Sequence, residues 1–426
     1  MSQLSGELVF DRTAMAIKGA RGQLWGLSLA GVEGRIANLV HSPVLEIGGS
    51  VSGPLNDALR FVRESPVNGW THQALNDTTA TGDGVLQLAL KVPLDAAERS
   101  SVKGELSLTD HEISLRPDLP LLSQARGQVS FTEQQLALHQ AVVQVAGGEA
   151  TVAGGTAADG RLRFEVQGRF SAEGLAQTPQ LSLPAKLAVV MRGEAPYNLR
   201  LEMGAEGTGF ELTSPLTGLA LALPEPLRKA APESWPLKVQ SRTQASNGST
   251  PVREVLTVDM SGKLSGQVQR AWPDGQAKVL RGAWAVGAAA SAPLKLPDIG
   301  VNAEVQVPQA HLEAWQQALV PLLAAPGPAA SAPAGAAAAH ASPGAPADDD
   351  ATAYLPSTVQ LRIQDLLAAQ RHWTDVDMQL QRQLRAEGQV WRGQVRSEQM
   401  RGQLEWHLAR SGEVTKVAAK LAQLKL

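Results

Sequence analysis

The sequence predicts a mainly all-β protein, an antiparallel sheet carrying a few short helices and a disordered Ala/Pro-rich insertion. Three observations lead there. Apolar and polar residues alternate along most of the 426-residue chain, the period of a strand with one oily and one wet face. Turn residues punctuate that alternation, often about 8–12 residues apart, a spacing that favours hairpins over helical crossovers. Helical periodicity is confined to three short stretches.

Taken in order, Leu86, Leu88 and Leu90 alternate with Gln87, Ala89 and Lys91. Leu106 and Leu108 flank Ser107, and Ile113 and Leu115 flank Ser114. Val129 and Phe131 belong to the next such run, and Leu162, Phe164 and Val166 alternate with Arg163, Glu165 and Gln167. Leu199, Leu201 and Met203 follow, then Val301, Ala303, Val305 and Val307, then Leu361 and Ile363, then Val376, Met378 and Leu380. Turns are expected at Gly82-Asp83-Gly84, Thr109-Asp110-His111, Gly147-Gly148, Asp159-Gly160 and Pro273-Asp274-Gly275. The helical stretches are 54–64, opening on Pro54 with Leu55, Leu59 and Val62 on one stripe; 219–231; and 308–323, with Leu312, Trp315 and Leu319 on one face. Residues 324–353 are almost entirely Ala, Pro, Gly and Ser with an Asp triplet, too poor in large apolar groups to offset the entropy of folding. They divide a segment 1–323 from its continuation, 354–426.

Three short helices cannot cover the apolar face of roughly twenty strands, so the sheet either folds onto itself or keeps that face for a ligand. Composition narrows the ligand. Formal net charge is −3, with 38 basic and 41 acidic residues intermingled, so there is no basic footprint for nucleic acid. Cysteine is absent, and the eight histidines are scattered without metal-ligand spacing, so no metal or cofactor is expected. No nucleophile elbow or phosphate loop occurs, and no catalytic residue can be nominated. The nine tryptophans suit either core packing or an apolar groove. No window reaches ~18 apolar residues, and the N-terminus lacks the pattern of a secretory signal, so any export address or membrane anchor is expected outside this sequence.

Gly31 to Trp70 reads as a strand pair, a Gly-x-x-x-Gly-Pro helix opening (Gly49 to Pro54) and a Ser-Pro stop. TGDGVLQLALKVPLD follows at 81–95, then the strands of 104–155, then SPLTGLALALPEPLRKAAPESWPLKV at 214–239, the helix around Trp315 and the strands from Val359 to Trp406. This succession resembles the YhdP branch of the AsmA-like family of Gram-negative envelope proteins over nearly the whole chain. The resemblance implies an elongated, curved sheet forming an open groove across the periplasm, anchored in the inner membrane, that conducts phospholipid toward the outer membrane and supports its barrier. The chain is then expected to be an internal fragment of such a protein, without the anchor. The groove lining expected on this basis is Leu86, Leu88, Leu90, Leu106, Leu108, Val129, Phe131, Leu162, Phe164 and Val166, contacting acyl chains. The competing expectation is a non-catalytic scaffold whose sheet docks other envelope proteins.

Overall fold

The computed structural model describes residues 2–64, 75–116, 119–204, 207–244, 253–271, 278–323, 353–385, 388–409 and 413–425. The chain divides into two compact units, the first comprising 1–168 with 200–208 and the second 169–199 with 209–426. Strands on both sides of 324–353 therefore belong to the second unit. The stretch expected to be a linker lies, apart from Ala353, outside the described residues, as does the turn at 273–275.

The first unit contains β1 (Ser2–Asp11), β2 (Ala14–Leu24), β3 (Leu27–Ile36), β4 (Val44–Pro54), α1 (Leu55–Glu64), β5 (Thr79–Ala80), β6 (Asp83–Pro93), β7 (Ser101–Ser114), β8 (Leu122–Thr132), β9 (Leu136–Val145), β10 (Gly148–Thr156) and the start of β11 (Leu162–Ser171). Every ladder is antiparallel, in the order β1-β2-β3-β4-β6-β7-β8-β9-β10-β11, with β5 beside the far end of β7. Tight turns set the registers. Ala146 and Gly147 both have positive φ, 51° and 79°, the geometry of a two-residue hairpin whose twist matches its strands. One expected turn is instead a strand interior. At Thr109-Asp110-His111, β7 runs through with register shifts against β8, because His111 folds its ring back over the irregularity. Its Nδ1 accepts from the Thr109 N–H (3.1 Å), and Nε2 donates to the Asp83 carbonyl (3.0 Å).

The second unit begins with two single-turn helices, α2 (Ala172–Ala176) and α3 (Leu183–Leu187), and continues through β12 (Met191–Gly204) and β13 (Gly207–Ser214), of which 200–204 and 207–208 belong to the first unit, then β14 (Leu219–Leu221), β15 (Leu237–Gln244), β16 (Arg253–Met260), β17 (Leu264–Ala271), β18 (Lys278–Gly287), β19 (Gly300–His311), α4 (Leu312–Leu323), β20 (Thr358–Ala368), β21 (Arg371–Arg385), β22 (Gly388–Arg396), β23 (Met400–Ala409) and β24 (Val414–Leu424). The ladder runs β13-β15-β16-β17-β18-β19-β20-β21-β22-β23-β24, with β14 against β12. It is mixed, mostly antiparallel with two parallel pairings. β18–β19 and β19–β20 are parallel, because residues 288–299 and 312–357 are long enough to carry the chain back to its starting end. The sheet is open: among the described residues β1 and β24 each pair on one side only.

Two helix expectations are corrected. Residues 308–311 complete β19, and α4 begins only at Leu312. The stretch 219–231 is not a helix. After β14 its prolines remove backbone donors at 224 and 226, and the chain turns back so that Leu221 and Lys229 exchange both backbone hydrogen bonds (2.9 and 3.2 Å).

Candidate functional site

In an antiparallel ladder, directly paired residues share a face, so register shows which of the expected lining residues lie together. Leu86 pairs with Val51 and Leu106, Leu106 with Val129, Val129 with Leu138, Leu138 with Gly154, and Gly154 with Phe164. In the next row Leu88 lies between Gly49 and Gly104, and Gly104 faces Phe131. Leu90 pairs with Ile47 and Val102, Leu108 with Gly127, Leu162 with Thr156 and Val166 with Val152. All ten residues thus occupy one face of the first unit. Leu108 is buried and the other nine are half-buried.

The opposite face is wet and charged. Glu46 pairs with Arg35 (2.7 Å) and Lys91 (3.0 Å), and the hydrogen bond from Arg35, followed by that from Lys91, holds its carboxyl below the usual carboxylate range. Arg163 reaches Asp159 and Glu202 in the same way.

Glycines shape the apolar face. A methyl group on Gly104 would sit inside the Phe131 ring, so the ring lies flat across the strand rather than standing off it. The only α-helix of the unit among the described residues, α1, covers one end of the face, with Leu55 seated on Gly84. The β2–β3 turn meets that helix, placing Trp25 6.1 Å from Phe61 and under the Arg60 guanidinium at 5.6 Å.

The second unit continues the same chemistry with more covering. By register, Leu256 and Val258 on β16, Val268 on β17, Trp284 on β18, Ala303 and Val305 on β19, Leu361 on β20 and Leu380 on β21 share a face. Trp284 lies over Gly266 as Phe131 lies over Gly104. At one end of these strands α4 folds back onto the face, and Leu312 and Trp315 pack against a buried cluster that includes Val307, Ile363, Val376 and Met378. The helix is tethered by Trp315, whose indole donates to the Glu225 carbonyl (3.2 Å), and by Glu313, which accepts from the Ala369 N–H (2.6 Å). That backbone hydrogen bond draws the Glu313 carboxyl below its ordinary pKa. Beside it, Leu216, Leu219, Leu221, Ala172 and Ala195 form a second cluster, with Trp235, Leu237 and Met260 against it. Lys229 staples this lobe from inside: 1% exposed, its ammonium donates to the carbonyls of Leu216 and Leu219 (2.7 Å each) and Ala230 (3.2 Å). Burial pulls its pKa down.

Alternation did not reveal the charged side chains on this apolar face. Glu254 and Arg270 occupy inward register positions and pair with each other, and Ser241 donates to Glu254. In sequence an inward Arg in a strand looks like one more polar residue. The tryptophans divide between the two roles expected of them: Trp284 paves the face, while Trp315, Trp373 and Trp406 pack against a buried cluster. Trp70 and Trp272 lie outside the described residues.

The arrangement offers a continuous apolar strip in each unit, suited to binding hydrocarbon. Among the described residues no three His, Asp or Glu side chains gather to hold a metal, and no helix is long and apolar enough to cross a membrane. A search of the curated proteins and one of the solved structures return no match. A scan against protein-family models matches one, described as the YhdP protein, over residues 1–426.

Proposed function

The chain belongs to the YhdP family, and from that premise we propose that its apolar face carries phospholipid acyl chains as a section of a bridge between the inner and outer membranes. The observation that supports this reading most is the state of Leu86, Leu88, Leu90, Leu106, Val129 and Phe131. They form contiguous apolar rows that are half-buried within their own sheet, with no second sheet described over them. Each acyl CH₂ moved from water onto such a surface gains up to ~0.8 kcal/mol, so chains are held by number rather than by specific polar contacts and can slide from row to row. The wet face, with its Arg35–Glu46–Lys91 and Arg163–Glu202 pairs, keeps the other side in water. The protein then works in the periplasm, held at the inner membrane. No bond is made or broken in this role, so the reading assigns no catalytic residue.

A photo-crosslinking amino acid placed at Leu88, and in a separate variant at Ala89, tests the proposal in cells. The two positions are neighbours on β6 and face opposite ways. Phospholipid attached at 88 and absent at 89 is the expected outcome. Protein attached at 88, without lipid, would instead make this face a docking surface for another envelope protein.

A further inference from the structure

In the second unit the apolar strip has two margins of different chemistry. Along β19 the inward residues are Val301, Ala303, Val305 and Val307. The outer two are 2% and 3% exposed, while the inner two are half-buried. Neighbouring strands repeat this: Ile363 is buried and Leu361 half-buried, and Glu254 is buried while Leu256 and Val258 are half-buried. One margin is α4, already described. The other is made by residues 353–357, which return to the sheet at the opposite end of the strands, just before β20.

That second margin is fixed by polar groups. Arg270 donates from Nη1 to the Tyr354 hydroxyl (2.8 Å), and the Trp284 indole donates to the Tyr354 carbonyl (3.1 Å). Arg382 donates to the Leu355 carbonyl (3.0 Å), and the Ser357 N–H donates to the Val301 carbonyl (2.7 Å). Tyr354 is itself 5% exposed. Placing Glu254 and Arg270 on an apolar face costs the desolvation of two charges, which adhesion alone does not justify, since apolar residues of similar volume would hold the face as well. The pair gives direction instead: Glu254, oriented by Ser241, aims the guanidinium at one hydroxyl.

We infer that Tyr354 is a positioning residue for the acyl-chain path, the anchored far bank of a channel whose near bank is α4. Resting on the lipid reading above, this assigns chains to the strip through Ala303 and Val305 and excludes them from Val301. The two margins, six residues apart on β19 (307 − 301), stand about 20 Å from each other at ~3.3 Å per residue, so the banks set how many chains lie side by side.

Because the chain has no cysteine, single cysteines report access without background. The probe is phosphatidylglycerol bearing a maleimide at the end of one acyl chain, presented in vesicles to Leu88→Cys, Ala303→Cys and Val301→Cys proteins. Leu88→Cys and Ala303→Cys are expected to label, and Val301→Cys about tenfold more slowly, protected by local closure of the bank. Adding Tyr354→Ala should bring Val301→Cys to the rate of Ala303→Cys and leave Leu88→Cys unchanged. Tyr354→Phe, which keeps the ring and removes the acceptor for Arg270, should fall between, with amide exchange across 253–271 confirming that the sheet remains folded. Fast labelling of Val301→Cys with Tyr354 intact, or slow labelling after its removal, would overturn the bank while lipid on 88 and 303 upheld the path. Failure of both 88 and 303 to take the lipid probe, while a water-soluble maleimide reaches them, would remove the lipid reading and this inference with it.

Discussion

The two units share one alternation and differ in what lies over it. In the first, Leu86, Leu88, Leu106, Val129 and Phe131 stay half-buried, although Leu108 and Val102 are buried, and α1 covers only one end of the face. In the second, segments outside the strands fold back over the same kind of face and produce two buried clusters. Alternation therefore decides which way each side chain points. The connections decide whether it ends in a core or on an open surface.

Equal truncations should separate these outcomes most sharply. Ile363→Ala, in the α4 cluster, is expected to cost ~3 kcal/mol through lost burial plus a cavity, whereas Leu88→Ala should cost ~1 kcal/mol, since its site already opens to solvent. Denaturant unfolding of the two variants measures the difference. Equal costs would mean that the first unit's face is a closed core after all.

The next effect concerns Lys229. Replacement by Met should cost ~2 kcal/mol by leaving the carbonyls of Leu216 and Leu219 unpaired, with amide exchange rising in 214–237 and unchanged in β6–β8. Because the folded-state pKa lies below the ordinary 10.5, the folded protein binds fewer protons than the unfolded one between those two values. Stability should accordingly rise with pH across that window, and the Met variant should lose that rise.

The smallest effect is expected at Glu313. Its pKa is depressed below 4.5, so its contribution is present above that pH and fades as pH falls through the folded value. Acidification should speed exchange of the Ala369 amide, and Glu313→Gln should flatten that dependence. No matching acid response is expected around Leu86, Leu88, Leu106 and Val129, whose paired neighbours are apolar residues or glycine.

Much of this was legible in the sequence because strand periodicity is local. Ten residues drawn from β6, β7, β8 and β11 fall on one face, since a period of two leaves only two faces to choose between. What could not be read depends on contacts distant in sequence. The parallel ladders follow from where 288–299 and 312–357 return. The strand through His111 depends on an Asp83 carbonyl 28 residues away. Residues 219–231 carry leucines at helical spacing, yet the Leu219 carbonyl that a helix would have paired internally is taken by the Lys229 ammonium. Nor could an inward Glu254–Arg270 pair be told from two wet residues, because its meaning lies in Tyr354, more than eighty residues away from Arg270.

The two rings lying over glycine carry a last consequence, for texture. With Phe131 flat on Gly104 and Trp284 flat on Gly266, one large ring in each strip adds little height to it. A single methyl group at either glycine would tip its ring upright. Gly104→Ala and Gly266→Ala would then leave the composition of the surface almost unaltered and roughen its relief, so these two positions govern smoothness independently of oiliness.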